Sequence, residues 1–208
     1  MSHLFKTRSR GFTLIELLVS LGIMGVILSV IALNQRTYTE AALLTNTADE
    51  LGLSMSEAQA YGVAVKERAA GSADFNAAFG VSLSILESGS TGAYLLFTDR
   101  NGNQYYDGSW ECTTGGASEC IERVNLRGGN YIDSFCILRT AGGDICNNVS
   151  RVDVSFRRPE PEAELKFFNS GGSDYAPANI KGASITIKSP SGLVKTVIVY
   201  NSGQISVQ

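Results

Sequence analysis

Oxygen-bearing side chains recur at every second position in the stretch DRNGNQYYD, residues 99–107. Asp99, Asn101, Asn103 and Asp107, with the backbone carbonyl of Tyr105, could point at one hard cation, and calcium is the candidate ion. The competing reading is a polar Asn-Gly hairpin turn after a strand over Tyr94–Thr98, which needs no cofactor. A second group is the cysteines: Cys112, Cys120, Cys136 and Cys146. An even, clustered count in an exported domain reads as disulfides. Of three possible pairings, Cys112–Cys120 and Cys136–Cys146 are favoured, because each closes a short Gly-containing loop. The alternative is four reduced, buried thiols. The wide cysteine spacings argue against zinc, as does the placement of the chain's one histidine near its start. A third candidate is Glu16, the one charge in the apolar run 12–33. A carboxylate inside a bilayer is costly and calls for a partner. No histidine is left to serve as a base beyond residue 3, and no cleft signature accompanies the acids and lysines. The chain therefore reads as non-enzymatic.

These groups need elements to hold them. Residues 12–33 form an apolar helix of about 33 Å, long enough for a bilayer core. The basic run KTRSR before it sets the N-terminus in the cytoplasm, with the rest of the chain outside. From 34 the pattern turns amphipathic. Ala41, Leu44, Ala48, Leu51, Met55 and Ala58 recur at steps of three and four. No proline interrupts residues 12–62, and Gly62 reads as the stop, giving a helix of about 75 Å. Gly22 and Gly25 are points of local softening or of close helix packing. From 63 to 208 the sequence reads as short strands: Val63–Lys66, Val81–Ile85, Tyr94–Thr98, Tyr131–Leu138, Val149–Phe156, Ala183–Lys188, Val194–Tyr200 and Gln204–Val207. Pro190 to Gly192 and Asn201 to Gly203 mark turns. Segments 112–129 and 157–180 read as long loops.

The chain has 22 glycines and a net charge of −3. Lys6, Arg8 and Arg10 lie in the first eleven residues; without them 14 basic and 20 acidic side chains remain, a net charge of −6. That balance disfavours nucleic acid as a general partner. Arg151, Arg157, Arg158 and Lys166 could form a basic patch on a strand edge, but Glu160, Glu162 and Glu164 beside it offset much of that charge, and a solvated charged segment is the favoured reading. Tyr105, Tyr106 and Trp110 read as cover for a core or an interface rather than a stacking platform for bases.

The run RGFTLIELLVSLGIMG resembles the signature of type IV prepilins. The segments ADELGLSMSEAQAYGVAVKE, LLFTDRNGNQYYDG and VIVYNSGQISVQ resemble the GspH/FimT-like group of minor pilins and type II secretion pseudopilins. The resemblance covers the helix and about half of the head, and leaves loops 108–130 and 157–180 unassigned. It implies an α+β pilin fold, with a long N-terminal helix, half transmembrane and half packed on an antiparallel β-sheet head. A leader of residues 1–11 would be cut by a prepilin peptidase between Gly11 and Phe12, and Phe12 would be N-methylated. Residues 12–33 would be the membrane and assembly helix, 34–62 its amphipathic continuation and 63–208 the extracytoplasmic head. Glu16, the fifth mature residue, would meet the N-terminal amine of a neighbouring subunit. The implied partners are other pilin or pseudopilin subunits, the peptidase and an inner-membrane assembly platform. The implied role is polymerisation into a type IV pilus or type II secretion filament. A second reading makes the head a tip module that captures DNA or a surface ligand. The DRNGNQYYD stretch resembles the first half of an EF-hand-like loop, but Gln104 stands where glycine is usual and Trp110 where the closing acid is usual.

Overall fold

The computed structural model describes residues 11–64, 77–113, 118–159 and 161–208. The chain divides into two units, 1–39 and 40–208, and α1, Leu14–Val63, passes through both. In the first unit, the large apolar side chains of α1 from Leu14 to Ile31 are all more than half exposed. The hydroxyls of Ser20 and Ser29 are satisfied within the helix. Ser20 donates to the Glu16 carbonyl at 2.7 Å and Ser29 to the Gly25 carbonyl at 2.8 Å. This stretch is long and apolar enough to cross a membrane.

In the second unit α1 is amphipathic. Leu44, Ala48, Leu51, Met55 and Ala58 are buried, as their spacing predicts, whereas Ala41 is exposed. Full burial of side chains the size of Leu51 and Met55 stabilises by about 1.5–3 kcal/mol each. Gly62 does not stop the helix; Val63 is its last residue, so the strand expected from Val63 begins inside α1. Residues 65 and 66 of that expected strand lie outside the described residues. Gly62 is needed for another reason: a Cβ there would sit 2.2 Å from the Phe156 carbonyl oxygen.

Among the described residues nine antiparallel strands follow: β1 (Ala78–Ser84), β2 (Ala93–Asp99), β3 (Cys120–Asn125), β4 (Tyr131–Arg139), β5 (Arg151–Phe156), β6 (Ala163–Phe168), β7 (Ile180–Lys188), β8 (Val194–Tyr200) and β9 (Ile205–Val207). They form a five-stranded sheet A, ordered β3-β2-β1-β5-β6, and a four-stranded sheet B, ordered β4-β7-β8-β9. β3 and β6 lie within the segments expected to be loops, so that expectation is corrected. Both are edge strands rich in charge, which hides them from an apolar pattern. The α+β architecture, with a long N-terminal helix and an antiparallel head, is as expected.

One apolar cluster joins the buried face of α1 to the inner faces of both sheets. It includes Val81, Tyr94 and Val154 from sheet A and Phe135, Ile185 and Val197 from sheet B. Buried Tyr94 shares a 2.8 Å hydrogen bond with Ser54 on α1, and burial pushes its phenol up to about 12.

The outer faces differ. On sheet A, β1 is buried on both sides, because a second cluster of Leu95, Phe97, Tyr106, Trp110 and Cys120 lies over its outer face. On sheet B, the register sets three rows across the outer face. They read Ser134, Thr186, Thr196, Gln208; then Cys136, Ser184, Ile198, Ser206; then Leu138, Gly182, Tyr200, Gln204. Tyr131, Lys188 and Val194 form a fourth row at one end.

Candidate functional site

The site at the N-terminus begins with Gly11 and Phe12, just ahead of the helix; Phe12 is 79% exposed. Thr13 and Glu16 cap α1 reciprocally. The Glu16 amide donates to Thr13 Oγ1 at 3.4 Å, and the Thr13 amide and hydroxyl donate to Glu16 Oε2 at 3.4 and 3.2 Å. This is a capping box, and its T-x-x-E signature stands in the sequence, although the apolar-run reading passes over it. The carboxylate therefore already satisfies an orphan donor of the first turn in the single chain. The leader residues 1–10 lie outside the described residues.

The described residues between Asp99 and Glu119 are organised by three buried carboxylates. Asp99 accepts the amides of Gly102 at 2.7 Å and Gln104 at 2.9 Å. Glu119 accepts the amides of Arg100 and Asp107, both at 2.9 Å. Asp153, on β5, accepts the Tyr106 amide at 2.9 Å. The five residues expected as cation ligands are thus divided. Asp99 is turned into the loop, whereas Asn101 and Asn103 both donate to Asp107 Oδ2, at 2.5 and 2.6 Å. The side-chain oxygens of Asn101 and Asn103 accept the amides of Asn103 and Tyr105. The Tyr105 ring packs edge-on against Phe168, with centroids 5.4 Å apart. Among the described residues, no three His, Cys, Asp or Glu side chains form a group suited to a metal ion.

Asp153 is the deepest of the acids, with no exposed surface. It also accepts Ser82 Oγ at 2.6 Å and Arg151 through Nε at 3.1 Å and Nη2 at 2.5 Å. Arg151 in turn donates to the Tyr106 carbonyl and stacks 4.6 Å from the centre of the Phe168 ring. Burial is the largest influence on Asp153 and pushes its carboxyl up, against the pull of Arg151, Ser82 and the Tyr106 amide. Burial likewise raises Glu119, against the two amides it accepts. Above this network lie Tyr106, whose hydroxyl donates to the Ser109 carbonyl at 2.6 Å, and buried Trp110.

The disulfides are Cys112–Cys120, which joins this cover to β3, and Cys136–Cys146. The basic residues 151, 157 and 158 are set among acids. Arg151 is held by Asp153, while Arg157 and Arg158 line a pocket with Glu162 and Glu164; Glu160 lies outside the described residues. The roles of Glu119, Arg151 and Asp153 escape the sequence because each reads as an ordinary exposed polar position.

Residues 6–32 match the prokaryotic N-terminal methylation motif, which makes this chain type IV prepilin-like. The match covers the N-terminal segment and stops short of the head. No curated protein and no solved structure matches the chain.

Proposed function

We propose that the chain is a non-enzymatic subunit of a type IV pilus or type II secretion filament, a minor pilin or pseudopilin that polymerises through its N-terminal helix. The observation that carries this reading is the methylation motif over 6–32, leading into an apolar stretch of α1 with a single carboxylate at its start. In this reading a prepilin peptidase removes residues 1–11 and Phe12 becomes the methylated N-terminus. Residues 12–33 then sit in the membrane until an assembly platform passes the subunit into the filament. The head stays on the extracytoplasmic side. Isolated in lipid, a central acid costs about 2.5–3.5 kcal/mol, and less near the headgroups. The Phe12 amine of an adjacent subunit would neutralise it in one axial register only.

Mass spectrometry of membrane-extracted protein should give a chain that starts at N-methyl-Phe12. An intact Met1 start in cells with an active peptidase would overturn the reading. Glu16→Val should leave export, cleavage and head folding intact and lower the share of subunit recovered in sheared filaments. For the 99–107 stretch we favour a turn held by its own amides, with calcium as the alternative ligand. A melting temperature that is equal in calcium and in chelator supports the turn, and a calcium-dependent rise supports the ion. Capture of DNA has little support, since the guanidinium of Arg151 is committed to Asp153.

A further inference from the structure

The chain has one Asn-Gly step, Asn101–Gly102, and it lies in the 99–107 turn. Asparagine is thermolabile, and most of all before glycine, where no Cβ hinders the following amide. The Gly102 nitrogen attacks Asn101 Cγ. A bond from that nitrogen to Cγ forms, the Cγ–Nδ2 bond breaks, and ammonia leaves carrying the amide proton. Water then opens the cyclic imide at either carbonyl and gives aspartate or isoaspartate. Both residues are exposed, and nothing lies within 4 Å of where a Gly102 Cβ would stand, so water has access.

Each group that takes part in this reaction is held in the folded turn. The nucleophile, the Gly102 amide, donates to Asp99 Oδ1 at 2.7 Å. The leaving group, Asn101 Nδ2, donates to Asp107 Oδ2 at 2.5 Å. The Asn101 side-chain oxygen accepts the Asn103 amide at 3.0 Å. The Gly102 amide must give up its proton and Asn101 Cγ must turn toward the nitrogen, so these bonds have to yield first. A carboxylate beside an amide also opposes its ionisation, as any like charge opposes a developing anion. Bonds to a charged acceptor are the strong kind, and losing one shifts an opening equilibrium about tenfold or more.

We propose that Asn101 is a latent deamidation site, which Asp99 and Asp107 keep intact in the folded head and which is released when this end of the cover lifts. The product reinforces the opening. A carboxylate at position 101 has no proton to give Asp107 and meets it as a like charge, so a cover once modified closes less well. The inference rests on the turn reading of 99–107 and not on filament assembly, which the processing experiment tests separately.

The test incubates the full chain in detergent micelles at mildly alkaline pH, with chelator present so that no divalent cation contributes. Peptide mapping by mass spectrometry follows residue 101 through the mass gain of an amide turned acid and the split between aspartate and isoaspartate. The same chain unfolded in guanidinium chloride gives the unrestrained rate, and folded wild type should be slower at Asn101 by about tenfold or more. Asp107→Ala, at an exposed position, should keep the Trp110 emission of wild type and raise the folded rate at Asn101 by about tenfold or more. Asn169 and Asn201, each followed by serine, should keep their wild-type rates in that variant. Asp99→Ala should act in the same direction, and Asp107→Ala decides the matter if Asp99→Ala fails to fold. The proposal is overturned by equal rates in folded and unfolded wild type, or by an Asp107→Ala chain as protected as wild type. It is equally overturned if Asn169 and Asn201 speed up as much as Asn101, since the protection would then belong to the head as a whole. The chelator keeps this result apart from the melting-temperature test, in which a calcium-dependent rise would overturn the turn reading instead.

Discussion

Sheet A and sheet B share one core but treat their outer faces in opposite ways. The outer face of sheet A carries Ser82, Asp153 and Ser155, polar groups in the middle of strands, and all three are buried beneath the 100–112 cover. The outer face of sheet B is also polar, but it is uncharged at its centre, and apart from buried Ser184 its central side chains are half-buried. The contrast shows that an alternating strand defines a face without saying what lies against it. Where the face holds a carboxylate, the chain has to supply every partner itself. Where it holds hydroxyls, water or a ligand can do so.

The largest way to break this contrast is Asp153→Ala. It strands Arg151 and the Tyr106 amide, and loss of one partner from a buried ion pair costs about 3–5 kcal/mol. Chemical unfolding of the full chain in micelles, followed by Trp110 emission, should show a drop of that size. A change below about 1 kcal/mol would mean that the cover is held by its apolar contacts alone. Cys112→Ser with Cys120→Ser should cost about 2–3 kcal/mol, the closure entropy of so short a loop. Non-reducing peptide mapping of wild type, showing both links, is the companion measurement.

A smaller effect is pH dependence. Burial raises the Glu119 carboxyl above its ordinary value, so the folded state holds its proton more tightly than the unfolded chain does. Its contribution is full in acid below the ordinary glutamate range and is lost as pH rises through the higher folded value. Glu119→Gln should flatten that part of the stability-against-pH curve. A wild-type curve that the substitution leaves unchanged would remove Glu119 from the account. Smallest of all should be Thr186→Lys on sheet B, within about 0.5 kcal/mol of wild type, as at other solvent-facing positions. A loss several times larger would show that the bare face is structural.

Much of the frame is legible in the residues themselves. The helix follows from its apolar period and the absence of proline, and the central strands from β-branched and aromatic runs such as Ile185 to Ile187 and Val197 to Val199. The cysteine pairing follows from short loops. β3 and β6 are not legible, because edge strands keep charges such as Glu122, Arg123, Glu164 and Lys166 that look like loop. Asp153 is misleading for a related reason: within VDVSF it has the rhythm of a solvent-facing residue, and it is buried beneath the returning 100–112 cover. Gly62 looks like a terminator, yet its role depends on Phe156, which lies far away in sequence. At the N-terminus Gly11, Phe12 and Glu16 stand at the start of the apolar helix, and the Thr13–Glu16 cap, which the apolar-run reading passes over, is written in their spacing.

The connection from Asp153 to Tyr106 also orders events in time. Tyr106 lies between β2 and β3, which are close along the chain, so the hairpin carrying the cover can form early. Its anchor is 47 residues further on, and pairing that distant is slow compared with local closure. A head whose strands become available in chain order would therefore pass through an interval with the flap formed but unlatched, and Leu95 and Phe97 open to water. Proteases and early aggregation would act in that window, which closes when β5 arrives. Slowing the delivery of β5, rather than weakening the finished head, is then the more damaging change for yield.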